Sequence, residues 1–98
     1  MTIEIKKATE EVVLEVTGRL DTMTAPALEK TINENLDGIK SLILDLQRLE
    51  YVSSAGLRVL LGTQKKMQEV GEMKLKNVCE EVMQVFEMTG FADILTIE

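Results

Sequence analysis

The segment Ser41-Leu42-Ile43-Leu44-Asp45-Leu46 constrains this chain more than any other. It is almost unbroken apolar, and it stands between two stretches with helical periodicity. A short continuous run of this kind reads as a buried central strand, covered on both faces or paired along both edges. The rest of the chain has to supply its neighbours. With 98 residues there is room to do so once, in a single domain spanning residues 1–98.

The flanking patterns provide those neighbours. Residues 2–5 and 12–16 read as strands, with Glu10 and Glu11 at a hairpin turn between them. Val12, Leu14 and Val16 alternate with Val13, Glu15 and Thr17, and Gly18 is expected to end the run. Thr24-Ala25-Pro26 opens a helix, since proline in the first turn loses no hydrogen bond. Leu28, Ile32 and Leu36 then mark its inner face, and Gly38 closes it. After a loop over 47–53, a second helix begins near Ala55, with Leu57, Leu60, Leu61 and Met67 inward and Gly71 at its end. Residues 73–76 form a short strand. Asn77 is placed to cap a third helix with Glu80 three residues on; Val78, Val82, Val85, Phe86 and Thr89 line its core face and Gly90 stops it. Residues 94–97 read as a last strand. The order β-β-α-β-α-β-α-β is that of an α/β fold. Its sheet is mixed and mostly parallel, with an antiparallel hairpin at the N-terminal edge.

Composition narrows the function. Aromatic residues make up only 3%, so Leu, Ile, Val and six Met have to fill the core. The formal charge is −6, and Lys and Arg are scattered without a basic stripe. This argues against direct nucleic-acid binding and against a polybasic membrane contact. No apolar run approaches the roughly 18 residues needed to span a bilayer. Cys79 is alone, which rules out an internal disulfide and fits a reducing, cytoplasmic setting. Histidine is absent, and with it the commonest general base and metal ligand. Neither a dinucleotide fingerprint nor a phosphate loop occurs. The carboxylate pairs Glu10-Glu11 and Glu80-Glu81 read as solvated charge. No catalytic residue, metal site or cofactor is expected, and nothing demands more than a monomer.

What remains is Tyr51-Val52-Ser53-Ser54-Ala55-Gly56-Leu57-Arg58, between the buried strand and the second helix. In a parallel α/β sheet, function collects on loops leaving the carboxyl ends of strands. Ser53 and Ser54 stand where an N-cap is required, and serine is a preferred cap on its own account.

The segment resembles the phosphorylation loop of bacterial anti-sigma-factor antagonists, the STAS family, whose usual form is Asp-Ser-Ser/Thr-Gly-Leu followed by a helix. Aligning Gly56-Leu57 sets Ser54 on the phosphorylated serine, Ser53 on the preceding Asp and Ala55 on the Ser/Thr. Gly18-Arg19-Leu20-Asp21 with Thr24-Ala25-Pro26-Ala27-Leu28 is similar to the family's strand-to-helix loop. Residues 42–46 resemble its central strand, and residues 78–89 with Thr89-Gly90-Phe91 its third helix. Ser53 in place of Asp and Ala55 in place of a hydroxyl depart from the usual motif, which leaves Ser53 in reserve as the modified residue.

The resemblance implies a partner-binding switch. Ser54 takes a phosphate, and Asp21, Thr22, Tyr51, Val52, Ser53, Ser54, Ala55, Gly56, Leu57 and Arg58 form the partner-binding surface. It implies as partners a serine kinase that is also an anti-sigma factor and a PP2C-type phosphatase, with transcription regulated indirectly. Unmodified, Ser54 is expected to cap the helix. The same fold also serves as an unphosphorylated scaffold in stress-sensing or transport assemblies, which is the alternative reading.

Overall fold

The computed structural model describes residues 1–98. Alternation along the second expected strand becomes β2 (Glu11–Leu20), with Val12, Leu14 and Val16 buried and Glu11, Val13 and Glu15 partly exposed. β1 (Thr2–Lys7) folds back against it antiparallel, pairing Ile3 with Val16 and Ile5 with Leu14. There follow α1 (Ala25–Asn35), β3 (Ser41–Val52), α2 (Ser54–Val70), β4 (Glu72–Lys76) and α3 (Glu80–Thr89). The strands lie in the order β1-β2-β3-β4, and β2, β3 and β4 are parallel.

Because the parallel strands follow one another in chain order, both crossovers step the same way. Right-handed connections then place α1 and α2 on one face of the sheet. The burial pattern agrees. Val12, Leu42 and Met73 form one transverse row, Leu14, Leu44 and Leu75 the next, and all six are fully buried. Leu28 and Ile32 of α1, Leu57, Leu60 and Met67 of α2, and Val82 and Phe86 of α3 close over them. On the opposite face Val13, Ile43 and Lys74 remain partly exposed. The central apolar run is therefore paired along both edges and covered on one face only.

β3 differs most from the sequence reading, because residues 47–52 continue the strand where a loop was expected. The β2–β3 register shifts between Glu15 and Thr17 and again between Gly18 and Arg19, each time with an extra residue on β3. These are β-bulges. They let Leu46, Leu49 and Val52 all point into the core at intervals of three, a spacing that hides the strand period. Gly18, at φ 105°, lies within β2 beside the second shift and does not end it.

Four further expectations are corrected. Asn77 does not cap α3: it adopts a left-handed φ of 58°, its amide donates to Asp45 Oδ1 at 3.1 Å, and Cys79 is the N-cap. Residues 94–97 form no full strand; after a 3-10 turn (Phe91–Asp93) a single bridge joins Ile97 to Leu75. Leu61 is only half-buried, and Thr89 is exposed with its hydroxyl donating to Val85 O at 2.7 Å.

The end of α2 is tied closely to the start of β3. Glu72 N–H donates to Lys40 O at 2.9 Å, and a Cβ on Gly71 would lie 1.9 Å from that same oxygen. Only glycine fits there. Within α2, Gln64 is 6% exposed and its Oε1 has no hydrogen-bond partner. A buried amide left unpaired costs about 1–3 kcal/mol. Gln64→Met keeps the length and removes the polar atoms. It is expected to raise stability by about 1 kcal/mol or more, seen in urea titration, and the melting midpoint by about 4–8 °C per kcal/mol.

Candidate functional site

Leu20 and Val52 are the last paired residues of β2 and β3, and Ser53 N–H donates to Leu20 O at 2.8 Å. The loops that leave these two strands therefore start side by side at the carboxyl end of the sheet. One carries Asp21 and Thr22, the other Ser53 and Ser54.

The two serines divide the work at the start of α2. Ser53 is the N-cap, with extended backbone (φ −97°, ψ 175°). Its Oγ accepts from Gly56 N–H at 3.4 Å and its carbonyl from Leu57 N–H at 2.9 Å. Capping thus falls to Ser53, not to Ser54 as expected. Ser54 is the first helical residue and is exposed. The N–H groups of Ser54 and Ala55 find no backbone acceptor. Together with the positive end of a 17-residue helix they favour an anion at this point. Arg58 is also exposed and lies one helical turn beyond Ser54.

Gly56 sets how near the helix comes to the sheet. A Cβ there would stand 2.6 Å from Leu20 Cγ and 3.0 Å from Val52 Cγ2. Gly56, Leu57 and Val52 are all buried and pack inward beneath the loop. Thr22, Tyr51, Ser54 and Arg58 are the exposed members of the expected surface, and Asp21, Ser53 and Ala55 are partly buried.

The neighbouring loop is held by Asp21. Its Oδ1 accepts from Met23 N–H at 3.0 Å and from Thr24 N–H at 3.1 Å. Its own N–H donates to Thr24 Oγ1 at 2.9 Å, and the Thr24 hydroxyl donates to Arg19 O at 2.8 Å. Partial desolvation pushes the Asp21 carboxyl upward. The backbone and side-chain hydrogen bonds from Thr24, the Met23 N–H and the nearby Arg19 charge together outweigh that, and the net displacement is downward.

Two residues that sequence reasoning missed complete the surface. Arg19 pairs with Tyr51 across the strands and stacks over its ring at 4.2 Å, with its Nε 4.0 Å from Asp21 Oδ2. That juxtaposition depends on the bulged register. Met23 is 87% exposed at the tip of the loop. A methionine among Asp21, Thr22 and Thr24, outside any apolar period, was the available signal.

The STAS domain model matches residues 2–98 of this chain. The chain belongs to the STAS-domain family. The anti-sigma-B factor antagonist of Staphylococcus aureus is 30% identical, with 99% of this chain and 94% of that protein covered. The anti-sigma-B factor antagonist of Bacillus subtilis is 28% identical, with 97% and 88% covered. Among solved structures, unphosphorylated SpoIIAA superposes with a TM-score of 0.85 at 22% identity, covering 99% of this chain and 88% of that one. The phosphorylated form of Bacillus SpoIIAA gives 0.76 at 21% identity, with 99% and 91% covered. At these identities the structural likeness shows the shared STAS fold.

Two outcomes are expected at this site. Gly56→Ala in this STAS domain forces Leu20 or Val52 out of place and costs about 1–3 kcal/mol, read from urea denaturation. The downward shift at Asp21 means that its ionised form supports the loop at and above the ordinary carboxylate range. That support disappears as pH falls through the lowered value. Amide exchange of Met23 and Thr24 is expected to accelerate on acidification once base-catalysed chemistry is corrected for. Asp21→Asn is expected to abolish this pH dependence.

Proposed function

We propose that this STAS domain is an anti-sigma factor antagonist, a protein-binding switch thrown by phosphorylation of Ser54. The observation that carries the reading is the division between the two serines. Ser53 is committed to capping α2, while Ser54 is exposed beside it at the same helix terminus. The names of the Staphylococcus and Bacillus relatives support the antagonist role. No helix is long and apolar enough to cross a membrane, and action in the cytoplasm is part of the proposal. The role is one of binding, without catalysis by this chain.

The physics of the switch follows from the position of Ser54. A phosphate adds a charge of about −1.5 to −2 and three acceptor oxygens. The free N–H groups of Ser54 and Ala55, the helix dipole and Arg58 four residues on all favour that charge, so the domain keeps its fold. The cost falls on association. Thr22, Met23 and Tyr51 present a partly apolar surface on the adjoining loop and strand end. A partner seated there has to desolvate the dianion, and a penalty of about 3 kcal/mol weakens binding roughly 100-fold. The partner is a serine kinase that is itself an anti-sigma factor, and a PP2C-type phosphatase restores binding.

Intact-mass spectrometry with site mapping, on protein from its native host, tests the reading. A single phosphate on Ser54 is expected, absent from Ser54→Ala and retained in Ser53→Ala. The latter is expected to lose about 1 kcal/mol of stability with its cap. Ser54→Asp is expected to weaken binding to the kinase by about tenfold or more in calorimetry. A phosphate on Ser53, or none under any growth or stress condition, sinks the proposal and favours an unphosphorylated scaffold.

A further inference from the structure

The two edges of the sheet are finished differently. The outer edge of β4 is covered by residues 96–98: Leu75 N–H donates to Thr96 O and Glu98 N–H to Leu75 O, both at 2.9 Å. Glu98 also pairs with Lys74 at 3.2 Å and with Lys76 at 3.6 Å. β1 has β2 on one side and nothing on the other. All of its residues except Ile3 are exposed, Ile5 by 46%.

The charges on β1 are also incomplete within one chain. On the uncovered face Glu4 lies directly opposite Glu15, and Glu15 opposite Asp45. Like charges facing each other across strands are destabilising. Lys6 reaches diagonally to Glu15 at 2.6 Å, but none of the ion pairs of the chain includes Glu4.

We propose that the free edge of β1 pairs antiparallel with β1 of a second copy, with Ile5 opposite Ile5 of that copy. Backbone N–H and C=O groups point alternately to the two sides of a strand. Residues facing each other across a two-fold seam must therefore share the same parity. The two strands can meet centred on residue 4, 5 or 6, but not between residues. Centring on Glu4 opposes two glutamates, and centring on Lys6 opposes two lysines. Centring on Ile5 sets Glu4 against Lys6 of the second copy, twice by symmetry, and brings the two exposed isoleucines together. Charges on an edge strand commonly block pairing. Here their order makes one register complementary and supplies the cation that Glu4 lacks.

The seam generates a continuous sheet with a two-fold axis perpendicular to it. β2 of one copy then runs opposite to β2 of the other, so the two candidate sites lie at opposite ends and both stay open. A seam of this length is well short of the roughly 1,600 Å² of a standard interface. Self-association is accordingly weak, with a dissociation constant on the order of 100 μM.

Sedimentation velocity on the full chain between about 20 μM and 1 mM tests this, with circular dichroism to verify folding. The wild type is expected to shift toward dimer across that range. Glu4→Lys and Lys6→Glu each turn both cross-copy pairs into like charges and are expected to weaken association about tenfold. Mixed in equal amounts, the two variants place opposite charges at both positions again and are expected to associate as the wild type does. The double variant E4K/K6E is expected to do so alone. A wild type that remains monomeric at 1 mM overturns the proposal. So do single variants that associate like the wild type, or a mixture and a double variant that both stay as weak as the singles.

Discussion

The parallel seam between β2 and β3 is the contact on which the rest of this molecule depends. It aligns Val12 with Leu42 and Leu14 with Leu44, and these rows form the floor on which the helices pack. Its two register shifts then let a twelve-residue strand end level with a ten-residue one. Without the extra residues on β3, Leu20 and Val52 would not finish as neighbours. Ser53 would have no Leu20 carbonyl to meet, and the two loops would leave the sheet at different heights. The bulges also bring Arg19 over Tyr51.

This accounts for what the amino-acid sequence disclosed and what it concealed. Val12, Leu14 and Val16 announce a strand by simple alternation, and the continuous apolar run at 42–46 announces its central partner. Both patterns come from regular pairing, where side chains take turns between two faces. Beyond Leu46 the pattern breaks because Leu49 and Val52 are inward at intervals of three, so a strand was read as a loop. Asn77 had a capping residue's chemistry but a competing acceptor in Asp45, thirty-two positions away and outside any local window. The terminal strand shrank to the Ile97 bridge because a 3-10 turn occupies much of the distance from α3.

The site was legible as a place more than as a set of roles. A serine pair ahead of an apolar-periodic helix located the loop, and order along the chain aligned it with a family. Which serine caps depends on backbone angles at Ser53, and those follow from its tether to Leu20. Val52 and Gly56 read as surface residues because loop residues ordinarily are; close packing against Leu20 turned them inward, while the helical period had already set Leu57 on the inner side. Met23 and Arg19 gained meaning only once the loops stood together.

The clearance at Gly56 carries one more consequence. With the first turn of α2 resting on Leu20 and Val52 and no space for even a methyl group, that end of the helix has no slack through which to pass on a displacement. Under the proposed switch, a phosphate at Ser54 would change what the surface displays while the packing beneath Gly56 stays in place. A mark of that kind behaves as a label and not as a lever.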